Sequence, residues 1–199
     1  MVSSKKTVAI TTDSLIAALD INNLDVALEL GCEAGSLAAE LASRALWVHC
    51  ASESVSDVKA ARQANTTRNN IEFHNTRYAE LDGLKGKGVS KAFALKVFQQ
   101  ANFYDLVFHL QAIHSILNEG GLLLFTFHDG DCFRLDDKSD AFGIALKSFR
   151  TNRVTALFKH HQLVSLAMLQ RLLPQLGFEF VSLRRINGSL TEAVVRKCT

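Results

Sequence analysis

A chain of 199 residues, 48% apolar with 13 Phe and a single Pro, suits one domain with a sizeable core, and that composition argues against a disordered or linker-rich protein. A formal net charge of +2, with acids and bases interspersed, gives no global field for nucleic acid or membrane; Arg184-Arg185 and Lys85-x-Lys87 read as solvated surface. Residues 122–127, the longest strongly apolar run, fall far short of a membrane span, MVSSKKTVAITTD lacks a signal-peptide core, and Cys32, Cys50, Cys132 and Cys198 form no C-x-x-C pair, so a reducing, cytoplasmic location is expected.

In chain order, residues 1–24 form an N-terminal helical segment and residues 25–30 (DVALEL) the first strand. Residues 36–44 read as helix, 45–50 (ALWVHC) as the second strand, 55–65 as helix and 71–73 as a short third strand. Gly83, Gly86 and Gly88 mark a turn before a third helix over 91–100. Residues 104–109 (YDLVFH) are expected as the fourth strand, 111–117 as a short helix and 122–127 as the fifth strand. Residues 128–160 carry the weakest pattern and read as an insertion shaping a substrate region. Leu166, Leu169, Leu173 and Leu176 form one helical stripe, which Pro174 should kink or end early. The strands 178–186 and 190–196 flank Asn187-Gly188, a signal for a hairpin turn with positive φ at both residues. Alternating strands and helices predict an α/β fold: a doubly wound, mostly parallel seven-stranded sheet with an antiparallel C-terminal hairpin, in one domain over 1–199.

The first strand runs into Leu28-Glu29-Leu30-Gly31-Cys32-Glu33-Ala34-Gly35-Ser36-Leu37. An acid ending a strand, then glycines, then a helix is a turn through which backbone can approach a ligand closely. Gly31 and Gly35 are four apart, which is not the dinucleotide spacing. This stretch resembles the first motif of class I S-adenosylmethionine (SAM) methyltransferases. Tyr104-Asp105-Leu106-Val107 with Asn118-Glu119-Gly120-Gly121-Leu122-Leu123-Leu124 is similar to the family's FDLV…GG-x-L-L segments. Leu172-Leu173-Pro174-Gln175-Leu176-Gly177-Phe178 is similar to its helix before the sixth strand. Together these cover residues 25–196, and the first half most resembles small-molecule N-methyltransferases of the nodulation type.

The resemblance implies a SAM cofactor, with S-adenosylhomocysteine (SAH) as product, and a cofactor site at Glu29, Gly31, Cys32, Glu33, Gly35, Ser52, Glu53, Thr76, Arg77, Tyr78 and His109. Glu29 matches the acid that helps hold the methionine amino group. Glu33 replaces the usual middle glycine. The ribose acid falls on Ser52, or on Cys50 if the alignment shifts by two; Glu53, one residue on from Ser52, can substitute after a local shift. The adenine acid falls on Arg77, which offers only donors, leaving Thr76 or a backbone carbonyl to accept and Tyr78 to pack on the purine.

Methyl transfer needs alignment more than acid–base help, and His109 or His114 is the candidate base. His128-Asp129-Gly130-Asp131 with His160-His161 has metal-binding residue types, but its spacing fits no motif, so a polar loop is preferred and no metal is expected. The reading is therefore a SAM-dependent methyltransferase acting on a small-molecule acceptor. The alternative is a catalytically degenerate relative serving as a binding or partner subunit, with an apolar patch expected around residues 133–149. Nucleic-acid and membrane partners are not expected; a homodimer or a protein partner stays open.

Overall fold

Helices and strands alternate from the first described turn. The computed structural model describes residues 12–132 and 163–198. Helix α1 (Thr12–Leu19) is followed by β1 (Val26–Leu30), α2 (Ser36–Ala42), β2 (Trp47–Ser52), α3 (Val55–Ala64) and β3 (Ile71–Asn75). Then come β4 (Val89–Ala94), the single turn α4 (Val97–Gln100), α5 (Phe103–Ile116) and β5 (Leu117–Asp129). The two-residue β6 (Leu163–Val164), α6 (Leu166–Gln175), β7 (Phe178–Asn187) and β8 (Leu190–Lys197) complete the described chain.

The strands form one sheet in the order β3-β2-β1-β4-β5-β8-β7, with β6 paired to the end of β5. All pairings from β3 to β5 are parallel. β8 lies antiparallel to both β5 and β7, so it is the one reversed strand among those described. The expected architecture holds, with β6 as an eighth strand.

Period-2 alternation divides each central strand between two cores. In β5, Leu123, Phe125 and Phe127 face a core shared with Leu110 and Ile113 of α5 and Leu169 and Leu173 of α6. Leu124 faces the opposite core, built with Leu15 and Leu19 of α1, Leu41 of α2 and Val58 of α3. Helices therefore cover both faces.

Four local expectations are corrected. Residues 89–94 are the fourth strand, not part of a helix: Val89, Ala92, Phe93 and Ala94 are fully buried between β1 and β5, while the Lys91 ammonium reaches out to donate to the Leu19 carbonyl (2.7 Å). Residues 104–109 lie in α5, not in a strand. The Asn102 side chain caps that helix by accepting from the Asp105 N–H (3.0 Å), and Leu106, His109, Leu110, Ile113 and Ile116 bury one helical face. Helix α6 runs one residue beyond Pro174, and Gly177 (φ 79) ends it. The last hairpin pairs Asn187 with Leu190, so its loop is Gly188-Ser189, with only Gly188 (φ 45) at positive φ.

Candidate active site

The carboxyl ends of β1 to β4 open on one edge of the sheet, and the segments leaving them line a cavity of about 580 Å³. The β1–α2 turn contributes Gly31 and Glu33. Glu53 and Asp57 follow β2, and residues 77–80 follow β3. Leu95, Lys96 and Val97 follow β4, and the far wall is Gln100, Ala101, Asp105 and His109. Five carboxylates (Glu33, Glu53, Asp57, Glu80, Asp105) thus face two cations, Arg77 and Lys96, and the lining favours a cationic ligand.

Gly31 is held at φ 81, and its N–H donates to the Ala51 carbonyl (2.9 Å). A Cβ there would lie 2.9 Å from Val97 Cγ2 and 3.6 Å from Tyr78 Oη, so the protein's own side chains approach this glycine. Gly35 (φ 78) is demanded by a different neighbour. Its Cβ would meet Asn65 Nδ2 at 2.6 Å and Ala61 Cβ at 2.9 Å, which is the packing of α2 on α3. Gly35 does not line the cavity.

Glu29 also stays out of the lining. It is buried, accepts from the Cys50 thiol (Sγ to Oε2 3.6 Å) and from the Ala38 backbone, and its pKa is pushed up to about 8, first by burial and then by Cys32. Cys32 is buried beside it, with its pKa lowered by the hydrogen bond from Cys50. The expected ammonium-binding acid is thus a neutral group beneath the glycine turn.

At the end of β2, Glu53 rather than Ser52 reaches the cavity. Ser52 is buried, and its hydroxyl accepts from the Ser54 N–H (3.2 Å). Glu53 Oε1 accepts from the Tyr78 N–H (3.0 Å), which ties the β2 end to the β3 end. Arg77 lines the cavity with Glu80, 3.5 Å away, whereas Thr76 turns aside and donates to the Glu80 carbonyl (2.8 Å).

His109 is buried on the wall, edge-on to Tyr78 (5.5 Å between ring centroids) and stacked on Phe98 (6.1 Å). Its Nδ1 is buried without a hydrogen-bond partner, and burial lowers its pKa, so the ring is neutral near pH 7. His114, one and a half turns further along α5, does not reach the cavity: it packs edge-on against Phe178 (5.1 Å) beneath Gly177. Placing the fourth strand at 104–109 would have put both histidines at a strand end; the helix separates them.

The end of β5 and the turn after it serve α6. Asp129 Oδ1 accepts from the Leu166 N–H (3.3 Å), and Asp131 Oδ2 from the Ala167 N–H (3.0 Å) and the Ser165 hydroxyl (2.8 Å). His160, His161 and the patch expected around 133–149 lie outside the described residues. Sequence reading missed Asp57 on α3, and also Lys96, Gln100 and Asp105, whose positions depend on where β4 ends. No described helix is long and apolar enough to cross a membrane.

A family model described as "Methyltransferase domain" matches residues 12–183. Among solved structures, the chain is similar to N-methyltransferase NodS from Bradyrhizobium japonicum WM9, at TM-score 0.65 and 13% identity, over 94% of each chain. It is similar to 1,6-didemethyltoxoflavin-N1-methyltransferase from Burkholderia thailandensis, which holds 1,6-didemethyltoxoflavin and SAH, at TM-score 0.70 and 15% identity, over 94% of this chain and 76% of that one. It is also similar to the [4+2]-cyclase SpnF, at TM-score 0.73 and 13% identity, over 94% of this chain and 80% of that one. No curated protein matches the sequence significantly.

Proposed function

The chain belongs to the methyltransferase-domain family, of the class I SAM-dependent type, and from that premise we propose that it binds SAM in the cavity at the strand ends and transfers the methyl group to a small-molecule acceptor. The acid-rich lining carries this reading, because Glu53, Asp57, Glu80 and Asp105 around one cavity suit a ligand bearing a sulfonium and an ammonium, while Glu33 is paired with Lys96. The residues present fit that group: Glu53 would take the ribose hydroxyls in place of Ser52, Gly31 would lie against the ligand backbone, and Tyr78 offers an aromatic edge.

When bound, SAM supplies a methyl carbon that passes to the acceptor's lone pair as the C–S bond breaks, its electron pair staying on sulfur. The chain's own contribution is to align the acceptor and take up its proton where one is released. Neutral His109 on the cavity wall is the group we assign to that proton. The NodS and toxoflavin-methyltransferase similarities support a small acceptor; the SpnF similarity shows that this fold also carries other chemistry.

One observation favours the second reading, a domain that no longer binds SAM: Val97 and Tyr78 already crowd the face of Gly31. Calorimetric titration with SAM and SAH separates the two. Saturable binding, with a thermal stabilisation of about 2.7 kcal/mol at a hundredfold excess over Kd, is expected for the enzyme. If neither compound binds at millimolar concentration while Val97→Ala restores binding, the degenerate reading replaces it.

A further inference from the structure

Away from the cavity, β2 and β3 bring three metal-ligating side chains together. In their parallel pairing His49 lies opposite Glu72, and Glu72 and His74, two apart on β3, share one face. His49 Nδ1 is 3.1 Å from His74 Nε2 and 3.4 Å from Glu72 Oε2, and His74 Nε2 is 3.9 Å from the same oxygen. A tetrahedral zinc with bonds near 2.0–2.1 Å sets its ligand atoms about 3.3 Å apart, so these spacings match three corners of such a site.

We propose that His49 Nδ1, His74 Nε2 and Glu72 Oε2 bind a divalent transition metal of the zinc class, leaving a fourth position open. None of the three lines the cavity at the strand ends, and the site does not depend on what that cavity binds.

Burial grades across the trio: His49 is buried, His74 half-buried, and Glu72 half-exposed on β3, the edge strand of the sheet. An ion therefore has an entry path past Glu72 and a shielded inner ligand. Without metal, one imidazole donates to the other across 3.1 Å. Binding moves that hydrogen to the donor ring's far nitrogen, so both rings stay neutral and both facing lone pairs turn to the ion. Lys87 and Arg62 face the histidines and weaken the attraction; the Glu72 carboxylate offsets part of that. A cation at this point would tie the edge strand to its neighbour through side chains as well as backbone.

The test is zinc titration by calorimetry on the whole chain, first stripped with a chelator, together with the visible absorption of the cobalt-loaded protein. One metal per chain and a raised Tm are expected. Glu72→Gln and His74→Ala should each weaken binding by about tenfold or more; both positions are open enough for the fold to survive, which circular dichroism checks. Cys198→Ser and the His160→Ala/His161→Ala pair should leave binding unchanged. Absence of saturable zinc binding by the unaltered chain overturns the proposal. So does retention of full affinity by the folded Glu72→Gln and His74→Ala chains.

Discussion

The carboxylate of Glu33 and the ammonium of Lys96 meet 3.0 Å apart on the cavity wall, and each residue sits at a positive φ, 37 for Glu33 and 62 for Lys96. Neither is glycine, so the turn after β1 and the turn after β4 both hold left-handed backbone. An exposed pair of this kind contributes about 0–1 kcal/mol, while left-handed backbone costs about 1–2 kcal/mol per residue. The arrangement is therefore not explained by stability, and it places one charge of each sign against the ligand space.

Glu33→Gly follows from that balance. Thermal unfolding should show a Tm equal to or slightly above that of the unaltered chain. SAM affinity should rise, because a carboxylate beside the expected position of the ligand's own carboxylate is removed. A fall in affinity would mean that Lys96 depends on Glu33 for its placement.

Glu53→Gln tests the β2 end. Loss of a charge-assisted hydrogen bond is worth about 1.5–3 kcal/mol, which predicts about a ten- to hundredfold weaker SAM complex by calorimetry. Ser52→Asp should not restore it, since that side chain is buried and already engaged by the Ser54 N–H.

Much of the architecture was legible in the sequence, and where it failed the reason is local. The glycine turn and the closing hairpin each rest on signals within ten residues, and the sheet class on the alternation of strands and helices along the chain. The fourth strand does not: residues 104–109 look like an apolar strand until the window reaches Ile116, where the 3.6-residue period and the Asn102 cap become decisive. Residues 89–94 mix Lys91 and Ser90 with small apolar residues, and their strand state comes from neighbours on both sides. That single exchange hid Lys96 and Asp105 from the candidate site. Glu29 was readable as an acid at the motif position, but not as a neutral one, because its burial is a tertiary fact.

Glu29 makes stability depend on pH. Its carboxyl ionises near its ordinary 4.5 when unfolded and at about 8 when folded, so between those values the folded chain holds the extra proton. The stabilisation is complete below about 4.5 and is lost progressively as pH rises through about 8. Denaturant unfolding at a series of pH values should show this decline, and Glu29→Gln should flatten it. Cys32, Cys50 and Glu33 surround the group and are unchanged in that variant.

His109→Phe separates chemistry from packing. The phenyl ring fits between Tyr78 and Phe98 and removes a buried nitrogen that has no partner, so stability should rise by about 1–3 kcal/mol. Turnover should fall while SAM affinity changes little. Unchanged turnover, measured by SAH release once an acceptor is found, would remove His109 from proton transfer.

The reversed strand has a consequence for biosynthesis. β5 finds one of its two long partners early in β4, but the other, β8, is translated only after some sixty further residues; His128 and Ser189, which touch across this pairing, are 61 apart in sequence. Until then the nascent polypeptide presents the bare edge of its most hydrophobic ribbon, Leu122 to Phe127, to whatever is nearby. Chains interrupted before β8 should therefore be clients for chaperones rather than small stable domains.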